Sequence, residues 1–208
     1  MLLVPSGALG ALISGSGGGG AIPDASAITS DIVLVSPLSV TGDLTVTINN
    51  LTHTWAGDLT ATLTHVGSGT SQSLFFKIGN PPNGLGDSSD FGGSYRFNNS
   101  FTGDLWAVAA GLTGAGIIPG GDYFATGAGS SSAIDLSNFF NGLSAGGTWR
   151  LAIQDTSGGD TGSFSGWDLS FQAEAVPEPS YAMPILVLGI LGVGRHFWRK
   201  HNTTATSV

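Results

Sequence analysis

Four stretches of the chain alternate apolar and polar residues with a period of two. Leu44, Val46 and Ile48 oppose Thr45 and Thr47, and Leu59, Ala61 and Leu63 oppose Thr60, Thr62 and Thr64. Farther on, Trp149, Leu151 and Ile153 oppose Arg150 and Gln154, and Trp167, Leu169 and Phe171 oppose Asp168, Ser170 and Gln172. One apolar face at this period predicts strands that pack on a core on one side and meet water on the other. Weaker apolar runs over residues 32–35, 74–78 and 105–109 predict three further strands. Gly, Asp, Asn and Pro fill the intervals, and Gly-Asp-Leu recurs at Gly42, Gly57 and Gly103 with irregular spacing, as turn chemistry does and a solenoid repeat does not. Residues 80–93 and 111–132 show no period and read as long loops, which in compact domains are either functional or tolerated surface insertions. The pattern is that of an all-β protein, an antiparallel β-sandwich.

Composition narrows the function classes. The chain of 208 residues has 34 glycines, 10% charged residues, no cysteine and a formal net charge of -8. Three of its six basic residues, Arg195, Arg199 and Lys200, lie near the C-terminus, so the body is strongly acidic and would repel a phosphate backbone. Nucleic acid is therefore not an expected partner. Without cysteine there are no disulfides and no thiolate metal sites.

The first 27 residues read in two ways. An apolar stretch followed by small residues, with Ala25-Ser26-Ala27 as a small-x-small cleavage site, suggests an export leader, but it lacks a basic start and Pro5 interrupts it. The alternative is a flexible linker over Gly15–Gly20. The sequence thus divides into residues 1–27 as a leader, 28–174 as the sandwich, 175–200 as a closing segment and 201–208 as a polar tail.

No catalytic residues are assigned. Ser, His and Asp are all present, but there is no Gly-x-Ser-x-Gly elbow, and the body has only His53 and His65. A turn-stabilising hydrogen bond is the simpler role for His53. The glycine runs are followed by no Gly-Lys-Ser/Thr, so they are not phosphate loops. Asp58, Asp155 and Asp160 flank Gly-rich turns, where oxygen ligands could hold a structural calcium ion. Asx hydrogen bonds account for the same aspartates without an ion, so both readings stand. No other cofactor is expected.

After Glu174 the composition changes. Val176-Pro177-Glu178-Pro179 is followed by an uncharged run of about sixteen residues and then by Arg195, Arg199 and Lys200. The run shows no polar face, falls slightly short of the roughly 20 residues of a comfortable span, and predicts a single C-terminal transmembrane helix retained by its basic end. This order resembles the PEP-CTERM sorting signal. The resemblance implies recognition by an exosortase-type membrane protease in a Gram-negative, exopolysaccharide-producing bacterium. It further implies transit through the inner membrane, cleavage near Val176–Pro179, and release to the cell surface, extracellular space or biofilm matrix.

The body carries a second resemblance. "LTHTWAGDLTATLTHVGSGT" from Leu51 and "LSNFFNGLSAGGTWRLAIQDTSGGDTGSFSGWDLSFQ" from Leu136 together resemble the P/Homo B domain of proprotein convertases and related subtilisin-like proteases. The resemblance implies a jelly-roll-like sandwich of about eight strands, with Trp149 and Trp167 anchoring the core. In those proteases the domain is accessory, and the serine endopeptidase activity belongs to a catalytic neighbour that nothing in this chain resembles. The expectation is a non-enzymatic exported protein that contacts polysaccharide or protein, the alternative being the accessory domain of a subtilisin-like protease.

Overall fold

A computed structural model describes residues 10–79 and 84–175, all within the first of two contact units, Met1–Val176 and Pro177–Val208. The strands are β1 Ala11–Ile22, β2 Ala27–Leu34, β3 Ser39–His53, β4 Leu59–His65, β5 Thr70–Phe76, β6 Asp90–Phe97, β7 Ile117–Ile118, β8 Gly121–Tyr123, β9 Gly147–Asp155 and β10 Gly162–Glu174, and the four alternating stretches fall in β3, β4, β9 and β10. One sheet runs β1-β10-β3-β6, with β7 and β8 both paired in parallel to β6, and the other runs β2-β9-β4-β5. The remaining pairings are antiparallel. The result is a mostly-β, two-sheet sandwich.

The apolar faces meet between the sheets. Trp149 and Trp167 are fully buried. The Trp149 ring packs on Phe140, Phe171 and His65 with centroids 4.8–5.3 Å apart. In β3 the inward set changes phase, from Val46 and Ile48 to Leu51 and His53. Two polar residues, Asn49 and Asn50, stand in between, and Asn50 takes φ 50° where the register with β6 shifts. A bulge of this kind turns one extra residue out of the ladder and lets both halves of the strand face the core.

Three expectations from the sequence are revised. Residues 105–109 form not a strand but the helix α1, Leu105–Ala110. Its sequence LWAVAA is alanine-rich with no alternation, and the Asp104 carboxylate accepts from the amides of Trp106 and Ala107 at 2.9 and 3.1 Å, so propensity and N-cap agree. Residues 80–93 and 111–132 are not wholly loop: β6 begins at Asp90, and β7 and β8 fall in the second stretch and cover the outer edge of β6.

The third is the glycine run, which is a strand rather than a flexible linker: β1 pairs with β10 from Ala11 to Ile22. Its glycines let neighbours close in. A Cβ on Gly17 would lie 2.2 Å from Nε1 of Trp167, which instead donates to Ser30 Oγ at 3.0 Å, and that hydroxyl donates to the Gly18 carbonyl at 2.6 Å. This chain of bonds ties β1, β2 and β10 together where the two sheets meet. The sandwich therefore begins before residue 28, and the small-x-small sequence Ala25-Ser26-Ala27 lies in the β1–β2 turn and the start of β2.

Among the described residues no helix is long and apolar enough to cross a membrane. The expected transmembrane helix, together with Val176, Pro177, Glu178, Pro179, Arg195, Arg199 and Lys200, lies outside the described residues.

Candidate functional site

Strand register brings four connections to one end of the sandwich: β1–β2, β3–β4, β5–β6 and β9–β10. His53 pairs with Gly162 and with Phe91, and Ile22 also pairs with Gly162, so all four connections leave the sheets at this level. The β3–β4 connection makes a 3-10 turn, Ala56–Asp58, and is fastened to the β5–β6 connection by Ala56 N–H to Ser89 O and Gly57 N–H to Asp87 O, at 2.8 and 2.9 Å. Gly57 is needed there because a Cβ would lie 2.5 Å from the backbone of Gly86 and Asp87.

Beneath these loops His53 and Asp155 form a fully buried pair. Nε2 of His53 lies 3.3 Å from Oδ2 of Asp155, and both side chains are 0% exposed. An ionised carboxylate only accepts, so Nε2 carries the proton. Nδ1 faces Trp55, with its amide N 3.2 Å and its carbonyl O 3.0 Å away. Both ring nitrogens are thus engaged by structural partners. The other carboxylate oxygen of Asp155 accepts from Ser157 N–H at 3.0 Å, so the pair knits β3 to the β9–β10 connection.

Above the pair is a cavity of about 250 Å³ lined by Trp55, Asp58, Leu85, Ser157, Gly158 and Asp160. The Trp55 indole is fixed as one wall by its Nε1–H bond to Leu85 O at 3.0 Å. Asp160 accepts from Thr54 Oγ1 at 2.6 Å. The backbone of Asp58 is held by Thr156, whose N–H and hydroxyl both donate to the Asp58 carbonyl, at 3.0 and 2.8 Å. Burial pushes the Asp58 carboxyl above the ordinary carboxylate range. A hydrogen bond from Ser157 and the nearness of His53 oppose the rise, and the negative charges of Asp155 and Asp160 add to it. Asp90, at the start of β6, is raised too, by burial and then by Asp160. A carboxylate shifted this way in a cleft, as Asp58 is, marks a functional-site candidate, because the fold keeps it against its own electrostatics.

The three aspartates singled out in the sequence do come to this end of the molecule, but they divide. Asp58 and Asp160 line the cavity, while Asp155 is turned into the core against His53. Among the described residues no group of three or more His, Cys, Asp or Glu side chains is placed to hold a metal ion. His65 is far from this site, wedged against Trp149 with Nδ1 at 2.9 Å from Ser68 Oγ and Nε2 at 3.2 Å from Gly146 O. Trp55, Leu85 and Ser157 were not anticipated from the sequence. Trp55 carried a signal nonetheless, a large aromatic in a turn between two strands, where no apolar face requires it.

Residues 126–171 match the family model described as Proprotein convertase P-domain. The matched segment contains β9, most of β10, both buried tryptophans and two of the three aspartates. The chain is 31% identical over 152 residues to the transglutaminase-activating metalloprotease of Streptomyces mobaraensis, which covers 73% of this chain and 14% of that relative. Among solved structures, it is similar to the serine protease of Aeromonas sobria in complex with the ORF2 chaperone. There the TM-score is 0.43 at 18% identity, covering 80% of this chain and 28% of that one. The same protease alone gives a TM-score of 0.42 at 18% identity, covering 79% and 27%. The chain thus spans well under a third of each of these proteins, and what it shares with the P-domain family is a matched segment, residues 126–171, set in a two-sheet β-sandwich.

Proposed function

We propose that this chain is a non-catalytic, exported jelly-roll sandwich that serves as the P-domain accessory region of a protease-like protein and docks on a protein partner. The observation that carries the reading is the P-domain match over residues 126–171. The strand orders β1-β10-β3-β6 and β2-β9-β4-β5 suit a jelly roll of eight long strands. The reading also accords with the chemistry of His53, among the described residues the one histidine paired with a carboxylate, which is buried with both nitrogens engaged and so has no ring atom available to a nucleophile or a substrate. The test is to incubate the full chain alone with casein and to mix it with a protease catalytic chain encoded by the same organism. No cleavage by the chain alone, together with a raised melting temperature for the protease in its presence, is the expected result. Casein cleavage by the purified chain, lost in His53→Gln, would overturn it.

A second reading concerns delivery and rests on the closing sequence. Pro177-Glu178-Pro179, an uncharged run and a basic cluster suit a segment that spans the inner membrane and is then cut by an exosortase-type protease, leaving the sandwich at the cell surface or in the exopolysaccharide matrix. Intact mass of protein recovered from the surface of its native host tests this. A species ending between Val176 and Pro179 supports sorting, and full-length protein confined to the inner membrane refutes it.

A further inference from the structure

We propose that the cavity between Trp55, Asp58 and Asp160 receives one arginine side chain from the protein partner on which the sandwich docks. The inference rests on the docking reading above and names the chemistry of the contact. The lining has two parts. Trp55 and Leu85 offer an aromatic and an aliphatic wall, and Asp58 and Asp160 offer carboxylates. An arginine side chain is divided in the same way, with an apolar stem that packs on such walls and a flat, always charged fork that stacks on an indole face and bonds carboxylates through several N–H groups. The indole is held in place before any ligand arrives, by its bond to Leu85 O, so little ordering is required on binding.

The electrostatics want a cation at this point. Asp58 is 7% exposed, and the carboxylates of Asp155 and Asp160 act on it, opposed by the Ser157 hydrogen bond and by His53. The two arginines of the sandwich cannot help, since Arg96 is bonded to Asp122 and Arg150 to Asp31, both across the outer faces of the strands. A guanidinium entering the cavity meets two carboxylates at once and lowers the cost of keeping Asp58 ionised. Calcium is the less suitable cation, because it takes about six to eight oxygen ligands and the cavity presents two carboxylates around an apolar wall. A neutral sugar would stack on Trp55 but would leave the charge of Asp58 unanswered.

Nα-acetyl-argininamide is the probe, with Nα-acetyl-citrullinamide as its uncharged near-isostere. Each is titrated into the full-length, 15N-labelled chain while the indole resonance of Trp55, assigned by Trp55→Phe, is followed. The expected result is a saturable shift with the arginine derivative, weakened by added salt and absent with the citrulline derivative. Asp58→Asn weakens the response by about tenfold or more, as loss of a charge-assisted hydrogen bond does. Its melting temperature, measured alongside, separates lost binding from lost folding, and Asp160→Asn serves as the second variant should Asp58→Asn fail to fold.

An equal response to citrullinamide, or none to either probe, overturns the proposal. So does calcium chloride if it moves the same resonance and excludes the arginine probe, since the site would then be a metal site. If neither probe binds while the chain still raises the melting temperature of the protease, the cavity assignment falls and the docking reading stands.

Discussion

At the end of the sandwich where β6 runs out, Asp43, Asp104 and Asp135 all have donors: Asp43 takes Asn98 Nδ2 at 3.1 Å, Asp104 caps α1, and Asp135 takes the amide of Asn138 at 2.9 Å, capping the short helix α2, Leu136–Phe140, and also bonds Asn99. At the end where β3 runs out, Asp58 and Asp90 are raised by burial and by neighbouring negative charge, and Oδ1 of Asp90 is shielded with no hydrogen-bond partner. The residue type is the same and so is the loop context. What differs is the supply of N–H groups: two helix starts lie at the first end, and at the second the amides serve Asp155, Asp24, Asp87 and the loop-to-loop ladder. Aspartate that caps a helix is explained by the fold, whereas buried aspartate crowded by its own kind is explained better by something outside the fold.

The comparison breaks most severely at Asp155, the carboxylate of the acidic end that is fully buried against His53. Asp155→Ala leaves His53 buried without its acceptor and frees the Ser157 amide, which removes the tie between β3 and the β9–β10 connection. The expected loss is about 3–5 kcal/mol, the range for removing one partner of a buried pair. Urea unfolding of the full chain, followed by tryptophan fluorescence, measures it. A loss under about 1 kcal/mol would place the pair among ordinary surface contacts.

At the opposite end the effects are smaller and local. Asp104→Ala and Asp135→Ala each remove an N-cap, at a cost of about 1 kcal/mol. The two changes lie on separate helices and should add. If either costs as much as Asp155→Ala, the two ends do not differ in the way described.

How far this division could be read from the sequence depends on what kind of signal each part leaves. The strands with clean alternation, in β3, β4, β9 and β10, were legible because burial on one face imposes a period of two. The buried places of Trp149 and Trp167 followed from that period. β1 was not legible. Glycine carries no hydropathy signal, and the reason for Gly17 is a tryptophan 150 residues away in the chain that needs the space of a Cβ. The helix α1 was misread because a short apolar run has no period of its own, though the Asp104 cap before an alanine-rich run was there to be seen. At the site, the sequence brought forward Asp58, Asp155 and Asp160 from their Gly-rich turns but could not tell that Asp155 points inward and the other two toward a cavity. That separation is set by register: Asp155 continues the inward positions Trp149, Leu151 and Ile153 of β9, so its carboxylate is delivered to His53 by the same alternation that buries the core.

The smallest expected effect has the opposite sign. Asp58 has a folded-state pKa above its ordinary 3.8, raised first by burial. Between the unfolded and the folded value the native chain holds a proton that the unfolded chain releases, so the contribution of this residue is present below about 3.8 and is lost as pH rises through the folded value. Near neutral pH the ionised carboxylate therefore works against the fold. Asp58→Asn removes that charge and keeps the shape, so it is expected to unfold at a slightly higher urea concentration than the wild type at pH 7, with the advantage shrinking as the pH falls below the folded pKa. Asp31 supplies the contrast within the same protein: its bond to Arg150 lowers its pKa, so its contribution is present above the ordinary carboxylate value and fades on acidification, and being exposed it is small. A destabilised Asp58→Asn at pH 7 would mean that the Ser157 bond outweighs burial and like charge, and that Asp58 belongs with the capped aspartates of the other end. A stabilised Asp58→Asn that has also lost the arginine probe would show one carboxylate kept at a cost to the fold because a partner's cation answers it.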